Sequence, residues 1–310
     1  NNDITQNNNA TIYEIAKQYI NNQYEANQVS ASTLLRNKNT LAIIDKLDIA
    51  HIPIQKVTNN QISNELLKIK DYSNSIISKI YGMLSTAYNQ AVINNVVKTN
   101  PFLIKGAILR VKSNKDDKKV DALTIDEQKA FISELEKSND EYKDIFYIAM
   151  YTGARIGEIL GLFGSNINLK TNYIIIDKTL TKNENDEPIV GKTTKTYAGT
   201  REIPITKHLI PVISKYASDK NELIFTKNNE IIAPATINSH FKKICKNANI
   251  RVLINSNKKV YREAGISNVN LKTSSVNTHM LRHTFATRCI EAGVSAVALS
   301  RILGHKDIQT

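Results

Sequence analysis

Residues Thr278–Thr287 read Thr-His-Met-Leu-Arg-His-Thr-Phe-Ala-Thr, and the way this stretch is understood decides the rest of the chain. His279 and Arg282 are three apart, so on a helix they share a face. Thr278 just before them is a candidate N-cap, which places the pair at a helix N-terminus, a position that favours anions. A His that shares a proton and an Arg that neutralises charge can hold one phosphate between them. His283 points elsewhere on the same helix and reads as a packing or hydrogen-bonding residue.

Three other segments carry polar residues of the same kind. Tyr151–Glu158 (YTGARIGE) closes an apolar helical stretch marked by Ile145, Ile148 and Ala149. Gly153 and Gly157 allow the backbone to turn tightly or to approach a ligand closely. Arg155 offers a phosphate two parallel hydrogen bonds from its fork, and Glu158, three residues on, is near enough to orient its neighbours. An Arg and a Glu at this spacing are also, and more commonly, a surface ion pair. Lys192–Pro204 (KTTKTYAGTREIP) looks like a hairpin whose turn carries lysines. A lysine there can protonate a leaving oxygen if its pKa is lowered, or it can belong to an ordinary solvated loop. In Leu303-Gly304-His305 the glycine ends a helix and exposes the imidazole, although a lone His after Gly is also an ordinary surface residue. Each segment is weak alone; their order along the chain carries the weight.

Outward from these segments the chain organises into two helical blocks. Ile12, Ile15, Ala16 and Tyr19 recur at helical spacing, as do Ile76, Ile80, Leu84, Ala87 and Ala91, a pattern that ends at the stop signal Asn100-Pro101. Shorter helices are expected around 33–47 and 60–70, giving a four- or five-helix bundle over 11–111. Residues 1–10 read as a disordered or truncated terminal segment. Residues 112–121 (KSNKDDKKVD) have the composition of an exposed linker. A second domain, 122–310, opens with a helix at the capping box Thr124–Glu127. Strands are expected at Tyr173–Ile176 and Arg201–Ile205, with a short one at Leu223–Phe225 and a long polar loop at 255–277. The fold class is mainly α with a small antiparallel β-sheet.

Bulk properties narrow the function. The chain has 310 residues, 41% hydrophobic and 23% charged, and its formal net charge of +12 draws polyanions such as nucleic acid. No apolar run reaches the roughly twenty residues that a membrane span needs. Cys245 and Cys289 have no metal-ligand spacing and read as reduced, structural residues of a cytoplasmic protein.

Taken in order, TGARIGEIL, a lysine-bearing hairpin before TREIPI, HMLRHTFAT and LGH resemble the tyrosine site-specific recombinase (phage integrase) family, most of all the integrases of conjugative transposons and phages of low-GC bacteria. The resemblance extends to ALTIDEQ at 122–128 and covers nearly the whole chain. It implies a helical core-binding, DNA-binding domain at 11–111 and a tyrosine-recombinase catalytic domain at 122–310. By the same resemblance Arg155 and Arg282 clamp the non-bridging oxygens of a scissile phosphate, with His279 and His305 completing the cluster. Lys195 is the general acid, Lys192 being the competing assignment, and Glu158 supports the first arginine. No cofactor and no metal are implied, because the two arginines supply the charge neutralisation. A tyrosine oxygen attacks the phosphate to give a 3′-phosphotyrosyl link, and a 5′-hydroxyl of the partner strand then attacks that link. The expected partners are double-stranded DNA and the protein itself, as a tetramer on two DNA sites, with an accessory directionality factor as a further one. The expected role is integration and excision of a mobile element.

The nucleophile is expected about nine residues after His305, in a motif that lies beyond Thr310, so the chain as it stands is expected to be cleavage-deficient through truncation. Tyr151, Tyr197 and Tyr261 read as packing or DNA-contact residues. Two alternatives share the residues: a non-catalytic DNA-binding protein of the same fold, and a relaxing topoisomerase.

Overall fold

The computed structural model describes residues 9–115, 120–192, 200–250 and 276–304. They divide into two compact units, one holding the residues before 116 together with Lys182–Glu187, the other holding the rest.

The first unit is built on four helices: α1 (Ile12–Glu25), α2 (Ala31–Ile44), α3 (Asn59–Leu67) and α4 (Asn74–Ile93). Each begins at a hydroxyl residue, Thr11, Ser30, Thr58 or Ser73, whose side chain accepts an N–H of the first turn. Thr11 with Glu14 and Thr58 with Gln61 complete reciprocal capping boxes. The apolar stripes meet in one core. Ile12, Ile15, Ala16 and Ile20 face Ile77, Ile80, Tyr81, Leu84, Ala87 and Ala91, and each fully buried Ile or Leu contributes roughly 1.5–3 kcal/mol. Ala10, the last residue of the segment expected to be disordered or truncated, is also buried there, its carbonyl accepting from Ile54.

Two boundaries differ from the sequence expectation. α4 stops at Ile93, ahead of Asn100-Pro101, because Asn95 takes the left-handed conformation (φ 59°). Asn100 instead locks the returning loop. Its buried carboxamide donates to the Ser85 carbonyl (2.9 Å), Ser85 Oγ (3.1 Å) and Asn89 Oδ1 (2.7 Å), and accepts from the Phe102 amide (2.9 Å). The expected linker begins later than 112. Ser113 and Asn114 are hydrogen-bonded to Tyr72, Asn74, Lys70 and Asp71 of the first unit.

The second unit opens with α5 (Ile125–Ser138), whose capping box pairs Thr124 with Glu127 as expected. α6 (Lys143–Thr152) and the short α7 (Ile156–Leu160) follow. Then come the strands β1 (Ile167–Asn168), β2 (Tyr173–Ile176), β3 (Lys178–Lys182), β4 (Pro188–Lys192) and β5 (Arg201–Pro204). β1, β2 and β5 form an antiparallel sheet in that order, with Ile174 opposite Ile203 and Ile176 opposite Arg201. β3 and β4 form a separate hairpin.

The strand expected at Leu223–Phe225 is not there: Leu223 makes a single bridge to Phe163, and Phe225 turns into the core. The strands lie just beyond, as β6 (Thr226–Lys227) and β7 (Glu230–Ile231). Asn228 and Asn229 both adopt positive φ (53° and 63°), the conformation that a two-residue hairpin turn requires. After α8 (Ile210–Ile213), the helices α9 (Pro234–Asn247), α10 (His279–Glu291) and α11 (Ala296–Leu303) complete the described residues. Phe131, Phe146 and Phe241 centre this unit's core, with ring centroids 5.2–6.1 Å apart. The loop expected at 255–277 lies outside the described residues up to 275. No helix among the described residues is long and apolar enough to cross a membrane.

Replacing Asn100 by Ala strands the Phe102 amide and three acceptors in a buried site. Asn100→Ala is expected to lower the unfolding free energy by about 2–3 kcal/mol, read by urea denaturation. A change within about 0.5 kcal/mol would mean that water replaces the carboxamide and that the loop is not held by it.

Candidate functional site

The site is built around the turn between α6 and α7. α6 ends at Gly153, whose positive φ (64°) an L side chain rarely adopts. A Cβ there would also stand 2.5 Å from Phe285 Cδ1 and 2.8 Å from Leu303 Cδ2, so the turn presses against α10 and α11. Thr152 ties the turn down, donating to the Ile148 carbonyl (2.6 Å) and accepting from the Ala154 amide (3.1 Å). Gly157 serves a close approach too, but to this chain's own hairpin: a Cβ there would lie 3.1 Å from Thr179 Oγ1.

The turn makes Arg155 the cap of α7 and Glu158 its third residue, where a carboxylate meets the positive end of the helix. Glu158 is buried, and both of its oxygens are used. Oε2 accepts from the Arg155 amide (2.8 Å) and Arg201 Nη2 (2.7 Å), while Oε1 accepts from Arg155 Nη1 (2.9 Å) and Arg201 Nη1 (3.1 Å). Burial by itself would raise the Glu158 carboxyl. The hydrogen bonds and charge of Arg201, with the Arg155 amide and charge, outweigh it and hold the group below its ordinary value. The two arginines differ in exposure: the Arg155 side chain is 45% exposed and that of Arg201 is 6% exposed.

Arg282, on α10, is buried. It donates from Nη1 to the Gly153 carbonyl (2.9 Å) and from Nη2 to the Leu303 carbonyl (2.8 Å). Arg201 Nε donates to the carbonyl before that one, on Ile302 (2.6 Å). These are the last carbonyls of α11, which its own N–H groups cannot reach. Desolvation, then the charge of Arg155, with a smaller push from Arg201 and against the pull of Glu158, brings the Arg282 guanidinium down to about 10. It is still charged at neutral pH. The described cluster thus holds three guanidiniums against one carboxylate, an arrangement suited to an anion.

His279 is the first residue of α10 and is exposed, its ring edge-on to that of His283 with centroids 4.9 Å apart. Thr278 is not the cap that the sequence suggests. Its backbone is already helical and its side chain makes no capping bond, while Asn277 Oδ1, one residue earlier, accepts the His279 amide (2.9 Å). Lys195 and His305 lie outside the described residues, and Lys192 is the last residue of β4. Tyr151 packs between the rings of Tyr147 and His208, while Tyr197 and Tyr261 lie outside the described residues.

Arg201 is the residue that sequence reasoning missed, serving there only as a landmark in TREIPI. A signal was present: Arg201 shares strand parity with Ile203 and Ile205, both buried, so it points inward and needs an anion.

A family model described as the phage integrase family matches residues 121–310. The chain is 24% identical over 238 residues to a tyrosine recombinase of Thermosipho africanus, a match covering 76% of this chain and 69% of that protein. Its fold is similar to the Tn1549 transposon integrase solved in complex with a circular intermediate DNA (TM-score 0.74, 20% identity, 96% of this chain and 92% of the other). It is also similar to lambda integrase solved as a tetramer bound to a Holliday junction (TM-score 0.65, 18% identity, 97% and 79%).

Glu158→Gln leaves two guanidiniums without their anion and is expected to cost about 3–5 kcal/mol of unfolding free energy at neutral pH. The Glu158 value in the fold lies below the ordinary 4.5, so its contribution is complete above 4.5 and is lost as pH falls through the lower value. The gap between parent and variant should therefore narrow progressively as urea titrations are moved from about pH 7 to below 4.5. An equal gap at both would show that Glu158 is not held as a carboxylate.

Proposed function

We propose that this chain, which belongs to the phage integrase family of tyrosine recombinases, cuts and rejoins double-stranded DNA at specific sites to integrate and excise a mobile element. The observation that carries this reading is the meeting of Arg155 and Arg282 at one turn, each anchored by buried partners. A scissile phosphate gains negative charge on its non-bridging oxygens as it is attacked. Two pre-placed guanidiniums stabilise that charge without reorganising at the moment of reaction.

In this reading Arg155 and Arg282 contact the non-bridging oxygens, and His279 and His305 share protons with them. A tyrosine beyond His305 supplies the attacking oxygen. The new bond joins that oxygen to phosphorus, and the bond from phosphorus to the 5′-oxygen breaks. Lys195, or Lys192 in the competing assignment, gives a proton to the departing 5′-oxygen. A 5′-hydroxyl of the partner strand then reverses these events on the phosphotyrosyl link, so one phosphoester is exchanged for another and no ATP is needed. The net charge of +12 favours the DNA backbone as partner. Assembly as four copies on two sites, with an accessory protein setting direction, belongs to the same proposal, and the lambda integrase tetramer supports the first part of it.

The test is a covalent adduct. The polypeptide, extended in its reading frame past Thr310, is mixed with a nicked suicide duplex carrying its element's end, and SDS-resistant protein–DNA product is measured. Arg155→Ala and Arg282→Ala are each expected to lower the adduct yield about a hundredfold to a thousandfold while salt-sensitive DNA binding persists. Tight binding with no adduct from the parent would overturn the cleavage reading in favour of a non-catalytic DNA-binding protein.

A further inference from the structure

Arg201 is used differently from the two arginines that the proposed mechanism places on the phosphate. Both of its Nη atoms go to Glu158, one to each carboxylate oxygen, and its Nε goes to the Ile302 carbonyl. All three of its guanidinium nitrogens are thus taken by acceptors of the fold, two of them by an ionised carboxylate. Arg155 is the reverse case: one of its guanidinium nitrogens meets Glu158 and the rest of the group faces outward.

These two arginines compete for one carboxylate. A buried carboxylate takes as many charged donors as reach it. Were Arg201 absent, Glu158 would turn both oxygens to Arg155, the remaining cation in its reach, and would pull its guanidinium back from any outside anion. The second anchor matters as well. Ile302 and Leu303 offer the last carbonyls of α11, and His305 follows directly after Gly304. Arg201 therefore sits at the joint between the Arg155 turn and the end of α11, reaching both with one rigid, planar group.

Resting on the reading above, we propose that Arg201 is a positioning residue for strand cleavage. By saturating Glu158 it leaves Arg155 free to meet the phosphate, and by capping Ile302 it fixes the end of α11 in the same frame. Lysine in its place keeps the charge but loses the fork and the simultaneous grip on the carbonyl.

The experiment compares parent, Arg201→Lys and Arg155→Ala in the extended full chain on two suicide duplexes. One carries an ordinary scissile phosphate. The other carries a methyl group in place of one non-bridging oxygen, which makes that phosphate neutral. On the ordinary duplex Arg201→Lys is expected to cleave about a hundredfold more slowly, the penalty for a catalytic group set about an ångström off, with DNA affinity within about threefold of the parent. On the neutral duplex there is no charge for Arg155 to meet, so the deficits of Arg201→Lys and of Arg155→Ala should both shrink to roughly tenfold or less. A loosened fold slows both duplexes alike. Arg201→Lys at parental rate on the ordinary duplex, or with the same deficit on both, overturns the positioning role while a crippled Arg155→Ala keeps the phosphate reading intact. An unaffected Arg155→Ala, or no adduct from the parent, overturns that reading and this proposal with it. Should Arg201→Lys melt well below the parent, both duplexes are compared again at a temperature at which its circular dichroism matches that of the parent. The same shrinkage on the neutral duplex is expected there, its absence counting against the proposal.

Discussion

The candidate site of the second unit depends on the buried carboxylate of Glu158. Glu158 is an ionised group in a largely dry place, and taking such a group out of water carries a penalty of several kcal/mol unless charged donors surround it. Four donors do: the Arg155 amide, one nitrogen of the Arg155 guanidinium and two of Arg201. Meeting that requirement fixes distant parts of the chain at once. Arg155 must cap α7, β5 must turn its first residue inward, and the end of α11 must lie within reach of Arg201. The carboxylate thus organises cations that would otherwise repel one another.

The same economy of groups appears at the helix ends. The last carbonyls of α11 and the Gly153 carbonyl at the end of α6 have no helical partner, and buried guanidiniums take that place. Because Arg282 bonds to Gly153 on one side and Leu303 on the other, α6, α10 and α11 converge on one point. The cluster keeps an excess of positive charge, which the fold tolerates at neutral pH even though Arg282 has been brought down to about 10. A phosphate is the kind of group that such an excess is suited to receive.

Much of this was legible in the sequence wherever the information was local. Capping signals mark helix starts at Thr124–Glu127, and the same signature is readable at Thr11–Glu14 and Thr58–Gln61. The segments YIII and REIP read as short strands, and they pair with each other. The TGARIGE and HMLRH segments brought Arg155, Glu158 and Arg282 to notice, and these three do come together. What stayed hidden depended on contacts far apart in the chain. Asn100 looked like a helix stop because its real partners, Ser85 and Asn89, are reached only when the loop folds back. Arg201 looked like a landmark because its partner is forty-three residues away. The β3–β4 hairpin is not legible, because KTLTK has one apolar residue and no fully buried one, and so lacks the apolar alternation of a strand on a core. Thr278 fits the preference for hydroxyl caps, yet its backbone is already helical and the neighbouring Asn277 accepts the His279 amide.

The most direct measurement of the central claim is a structure of the chain on a duplex carrying its scissile phosphate. Arg155 and Arg282 are both expected within hydrogen-bonding distance of that one phosphate, with Arg201 still holding both oxygens of Glu158 and the Ile302 carbonyl. A phosphate bound elsewhere, or one gripped by Arg201 after it has left Glu158, would contradict that claim.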